Sequence, residues 1–144
     1  MAQIEKIEWE SKYSVDIEEI DTHQKKMFEM FNELIDLKNL NEDDKVSVNL
    51  LSDLNDYCKL YFSREEKILK KGGYPDLDIH AKAHRQFIRS SISLRREIAE
   101  DINNLTVEAI VELRNWFINH IEAKDSLYIP FLRIHQHIED RTKK

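Results

Sequence analysis

Apolar residues recur three and four positions apart over most of this chain, and that spacing predicts helices. Ile17, Ile20, Gln24, Met27, Phe31 and Leu34 mark one face of a first helix over about 17–40. Asn41-Glu42-Asp43-Asp44 interrupts it with residues that cap helices, and the run Glu42 to Lys45 reads as a solvated loop. A second stripe of Leu50 or Leu51, Leu54, Tyr57 or Cys58, Tyr61, Glu65 and Ile68 predicts a helix over about 44–71. Its stop is written as Lys70-Lys71-Gly72-Gly73, with cations at the negative end of the helix dipole and glycines beyond. Tyr74-Pro75-Asp76 is a turn. A third helix, about 77–100, carries Leu77, His80, His84, Phe87, Ser91, Leu94 and Ile98 on one face. A fourth, about 105–128, carries Val107, Ile110, Leu113, Trp116 or Phe117, His120 and Asp125. Pro130 is expected to end or kink it and leave a short C-terminal tail. Residues 1–15 show no sustained period, so Trp9 and Tyr13 belong to an extended arm packed on the body. Four helices with short connections predict an all-α, antiparallel up-down-up-down four-helix bundle with an N-terminal extended arm, one domain over residues 1–144.

Composition agrees with that reading. The chain has 144 residues and only two glycines and two prolines, too few for many tight hairpins. Its net charge of −6 argues against nucleic acid as a partner. No apolar run approaches the ~18 residues of a membrane span, and MAQIEKIEWE lacks the apolar core of a signal peptide. A single cysteine, Cys58, cannot form an intrachain disulfide, and a cytoplasmic location is expected. Cys58 reads as a small core residue, and Phe28, Phe31, Phe87, Trp116 and Phe117 as core aromatics.

The stripes are broken by ionisable groups at particular points. Glu65 interrupts the second, His80 and His84 the third, His120 and Asp125 the fourth. His80 and His84 are spaced i, i+4 and share a helix face. Antiparallel neighbours bring the end of one helix to the start of the next, so the five groups converge near one end of the bundle. Each histidine taken alone is more simply a hydrogen-bonded core residue, and Asp125 could be solvated at a helix end. Taken together they form a nitrogen and oxygen set suited to iron, manganese or zinc. No lysine or arginine lies on the inward stripes at that height, and a divalent cation would cancel the two buried negative charges. His135 and His137 lie beyond Pro130 and read as surface residues.

IDTHQKKMF, FSREEKIL, HAKAH and WFINHIEAKD, in that order behind an arm with Trp9 and Tyr13, resemble the bacterial hemerythrins over nearly the whole chain. The resemblance implies a four-helix bundle holding two non-haem irons bridged by two carboxylates, with dioxygen bound reversibly at one of them. It implies Glu65 and Asp125 as the bridging carboxylates, and His80, His84 and His120 as ligands of the coordinatively full iron. The dioxygen-binding iron should have two further histidines, and this chain departs from the pattern at both. Tyr61 stands where a HFxxE motif would begin, and Gln24 stands three residues after Asp21, with His23 one residue early. One residue rotates a helical side chain by ~100°.

Three readings follow. The site holds a single metal through His80, His84, His120 and the carboxylates; or Tyr61, Gln24 or a displaced His23 supports a second metal; or the bundle is a metal-free interaction module. A ferric ion bound by a Tyr61 phenolate would be coloured. The expected function is binding of dioxygen or another diatomic such as nitric oxide, for storage, transport or sensing. A non-haem iron peroxidase or oxidase is the enzymatic alternative, with no separate acid–base pair in the sequence to support it. No protein partner is legible.

Overall fold

The computed structural model describes residues 6–40 and 44–142, the side chains of 135–140 and 142 excepted. The expected surface placement of His135 and His137, and Glu42 and Asp43 of the expected loop, lie outside the described residues, whereas Asp44 and Lys45, expected in that loop, open the second helix. Among the described residues five α-helices follow the arm: α1 (Glu18–Asn39), α2 (Asp44–Lys71), α3 (Leu77–Glu100), α4 (Val107–His120) and α5 (Ser126–Thr142). A π-helical turn, Ile121–Asp125, joins α4 to α5, so the two form the fourth rod of the bundle. α1 packs on α2 and α4, and α3 packs on α2 and α4, which closes the ring of four neighbours.

The stop of α2 follows the local rules. Gly73 has φ +71°, the left-handed conformation that favours glycine, and the N–H groups of Gly73 and Tyr74 close back on Lys70 and Leu69. Gly72 lies close under Leu132, and a Cβ there would meet Leu132 Cδ2 at 2.8 Å, so the end of that side chain would have to shift. Thr106 caps α4 by accepting the Ala109 N–H at 3.1 Å.

The arm docks by hydrogen bonds as well as burial. Trp9 Nε1 donates to Gln24 at 2.9 Å, and the Ile7 backbone exchanges two bonds with the Asn32 amide. Tyr13 is buried against Phe28, with ring centroids 5.2 Å apart.

The expectation at Pro130 needs correction. The rod does not end there, since α5 runs on to Thr142 with Pro130 as its fifth residue. Pro130 faces solvent, whereas Tyr128 before it and Phe131 after it pack around Tyr74, at 6.1 and 5.5 Å. Burial on both sides of the proline outweighs one missing backbone bond. The real irregularity is the π turn upstream.

Below the ligand cluster the core is aromatic. Phe117 is fully buried and meets Phe28, Phe31, Tyr61 and Phe87, with centroids 5.9 to 6.4 Å apart. Phe117→Ala should cost about 3–5 kcal/mol of unfolding free energy, read as a lowered urea midpoint with an unchanged slope.

Candidate metal centre

Glu65 comes from α2, His80 and His84 from successive turns of α3, His120 from the last residue of α4, and Asp125 from the end of the π turn. One ligand atom from each lies within 4.8 Å of the others, and none of the five side chains is more than 4% exposed. His80 Nε2 is 2.8 Å from Glu65 Oε1 and 3.1 Å from Asp125 Oδ1. His84 Nε2 is 2.9 Å from the same Glu65 oxygen, and His120 Nε2 is 3.2 Å from Asp125 Oδ1. Each Nε2 atom therefore faces a carboxylate, His80 both of them, His84 Glu65 and His120 Asp125.

The π turn makes this convergence possible. In an α-helix, residues five apart are turned away from each other by about 140°. An i→i+5 turn adds one residue per turn and brings such a pair back onto one face. The five-residue spacing of His120 and Asp125 thus requires the irregularity. Ser126 Oγ donates to the Glu122 carbonyl at 2.6 Å, giving that buckled turn a partner outside the backbone ladder.

Further side chains hold the ligands in place. Phe62 stacks on the His84 imidazole at 3.8 Å and 3°, while His84 Nδ1 lies 2.9 Å from Glu66 Oε2. Trp116 stacks on His120 at 5.0 Å and 9°. Tyr128, fully buried, donates its hydroxyl to Glu65 Oε2 at 2.9 Å. Sequence reasoning missed Glu66 and Tyr128 in these roles. Tyr128 carried a faint signal, three residues after Asp125 and so on the same face. Glu66 carried only its adjacency to Glu65.

The electrostatics of the metal-free cluster follow from this packing. Burial pushes the Glu65 carboxyl up, but the His80 hydrogen bond and the close His84 imidazole outweigh it and hold the group below the usual range. Burial pushes His80 down, yet the close Asp125 and Glu65 carboxylates raise it from 6.5 to about 9. His84 is raised for similar reasons, against its own burial. A raised histidine stabilises the fold fully below its unfolded pKa, and loses that contribution as pH rises through its folded one. A lowered carboxylate contributes above its unfolded pKa and loses that as pH falls. The chelated protein should therefore be most stable between about pH 4.5 and 6.5 and lose stability toward about pH 9. Thermal midpoints of the chelated protein across that range check this; a flat alkaline limb would contradict it.

The remaining candidate ligands are arranged differently. Tyr61 is fully buried, and burial followed by the charges of Glu65 and Asp125 pushes its phenol well above its ordinary value, so it is a neutral hydroxyl. The Gln24 amide lies near it, without a hydrogen bond of normal geometry between them. The Gln24 oxygen already accepts the Trp9 indole N–H at 2.9 Å, and an amide nitrogen has no free electron pair to offer a metal. His23 is not part of the cluster. Its Nδ1 pairs with the Tyr57 hydroxyl at 2.6 Å, and its ring stacks on Tyr61 at 5.5 Å.

The buried atoms His84 Nε2, His120 Nε2 and both Asp125 oxygens lack a hydrogen-bond partner of normal geometry. They aim at one point together with two further ligand atoms, and such a donor set fits a divalent transition ion. A four-helix bundle with three inward imidazoles and two inward carboxylates is of the metal-binding class. The chain belongs to the hemerythrin family: residues 15–132 match the Hemerythrin HHE cation binding domain. It is 31% identical over 126 residues to a bacteriohemerythrin of Clostridium acetobutylicum, covering 84% of this chain and 97% of the relative. It is 30% identical over 127 residues to a bacteriohemerythrin of Pseudomonas aeruginosa strain LESB58, covering 87% and 80%. A crystal structure of a leucine-to-phenylalanine mutant superposes with TM-score 0.81 at 26% identity, covering 88% of this chain and 96% of that one. Membership makes the protein a hemerythrin-like, non-haem iron-binding protein rather than an enzyme. No helix among the described residues is long and apolar enough to cross a membrane.

Proposed function

We propose that this chain binds one iron where a complete hemerythrin centre would hold two, and that the iron takes a small diatomic ligand without carrying dioxygen reversibly. The ligands would be His80, His84 and His120 through Nε2, with Glu65 and Asp125 supplying oxygen. Bound there, the iron would supply an electron-rich site for a diatomic such as nitric oxide or dioxygen.

The observation that carries the reading is the occupation of the second half of the site. Glu65 presents Oε1 to His80 and His84, while its other oxygen, Oε2, accepts the Tyr128 hydroxyl. The positions that would complete a second iron are a neutral Tyr61 phenol and a Gln24 whose oxygen is engaged by Trp9. His23 is paired with Tyr57 instead. None of the three offers an anionic or imidazole ligand toward the cluster.

The protein itself does the rest. Phe62 and Trp116 fix two imidazole planes, the π turn sets Asp125, and the aromatic core excludes bulk water from the charges. A small neutral diatomic is the kind of ligand that can reach so buried a centre.

Protein loaded with ferrous iron under argon tests this when exposed separately to nitric oxide and to air. A new visible band with nitric oxide, and no band under air that disappears again under argon, is the expected pair of results. A reversible band under air would overturn the reading. Tyr61→Phe should leave the visible spectrum of the ferric protein unchanged, because the phenol is no ligand; loss of colour would show that it is one.

A further inference from the structure

Along the outer seam of α2 and α3 lies a groove of 460 Å³ whose lining includes His84, one of the five residues of the metal centre. Phe62 and His84 line its floor, and Lys59, Lys67, Lys70 and Arg85 stand around it, all four exposed. Glu66 and Asp78 are the acidic residues in its lining, so cations outnumber acids here although the whole chain carries −6. Among the described residues none of the four cations is held in an ion pair. Glu66 is already engaged, since His84 Nδ1 lies 2.9 Å from its carboxylate. A single imidazole ring therefore separates the groove from the cluster.

We infer that this groove is the docking surface for an acidic one-electron donor protein, which reduces the iron through the Glu66–His84 contact. The inference rests on the iron-binding reading above. Iron exposed to dioxygen passes to the ferric state, and a buried centre needs a defined place for an electron to return. The step is a single electron transfer: ferric iron becomes ferrous, the donor is oxidised by one electron, and no bond is made or broken.

Extent argues for a protein donor over a small anion. Lys59 also borders a second groove on the same seam, whose lining adds Arg95 and Arg96 around apolar Leu51, Ile92 and Ile98. From Lys70 to Lys59 alone the cationic stripe runs roughly 16 Å along α2. Opposite charge on a partner would steer its approach and fix its orientation, while the apolar floor takes contact.

The test uses the full chain and its double variant Lys67→Glu/Arg85→Glu, with iron measured in both. Reduced plant-type ferredoxin, a small acidic protein, and reduced methyl viologen, a cation, are each mixed with the ferric protein in stopped flow. The expected result is a ferredoxin rate lowered by about 10-fold or more in the variant, with the viologen rate equal or faster. Added salt should slow the wild type with ferredoxin towards the variant. Calorimetric titration of oxidised ferredoxin into the chelated protein should show the same contrast with no electron transferred: binding to wild type, loss in the variant. An unchanged ferredoxin rate, or equal slowing with both donors, overturns the proposal while the iron-binding reading stands. Wild type that takes up no iron overturns both. Should the double variant misfold, Lys59→Ala/Lys70→Ala gives the same contrast through charge removal.

Discussion

His80→Ala should leave the purified protein with less than about a tenth of the iron bound by wild type, while circular dichroism still reports a helical fold. No other imidazole in the cluster faces both carboxylates, at 2.8 Å from Glu65 and 3.1 Å from Asp125. Alanine there removes one of three nitrogen ligands and leaves both acids without that partner. The metal-free variant should lose about 3–5 kcal/mol of unfolding free energy, because a buried charge without its partner costs that much. Atomic absorption and urea denaturation read the two effects separately. Full iron content in the variant would show the ligand set to be wrong, and full stability would show that the cluster is not electrostatically coupled as its geometry implies.

The second large effect is a gain. Gln24→His combined with Tyr61→His should raise the iron content from about one to about two per chain when iron is supplied without oxygen. Both positions are fully buried on the inward faces of α1 and α2, and the charges of Glu65 and Asp125 act on Tyr61. Histidine at either site supplies an imidazole nitrogen where the chain now has a neutral hydroxyl and an amide bonded to Trp9. The single variants should fall short of two, since each gives the second iron only one nitrogen. If the double variant still bound one iron, the vacancy would lie elsewhere, with the Tyr128 hydroxyl on Glu65 Oε2 the next group to remove.

Much of the fold is legible in the spacing of apolar residues. The stripes from Leu51 to Ile68 and from Leu77 to Ile98 correspond to α2 and α3, whose bounds are Asp44–Lys71 and Leu77–Glu100. Each buries a single face, and α2 also has a strong stop signal at Lys70-Lys71-Gly72-Gly73, so local rules and tertiary packing agree. At Pro130 they disagree. The local rule says stop, but Tyr128, Phe131 and Leu132 are held against the loop after α2, and the rod continues. The π turn was hidden in a number already visible, five residues from His120 to Asp125. Two inward ligands at that spacing cannot both belong to a regular α-helix.

The cluster itself was readable because charged groups on an apolar stripe stand out. Its support was not. Tyr128 is indistinguishable in sequence from a core aromatic, and Glu66 from a surface acid, so their bonds to Glu65 and His84 emerge only in three dimensions. The same holds for His23. Sequence places it one residue from the family position and leaves it in contention, whereas the folded chain turns it toward Tyr57 and stacks it on Tyr61.

The proposed one-iron centre is built from five residues on an otherwise complete hemerythrin bundle. The iron-to-protein ratio of wild-type protein, purified without oxygen and reconstituted with excess ferrous iron before desalting, tests it most directly. About one iron per chain is expected; a ratio of two would contradict the loss of the second site, and a ratio near zero would contradict metal binding altogether.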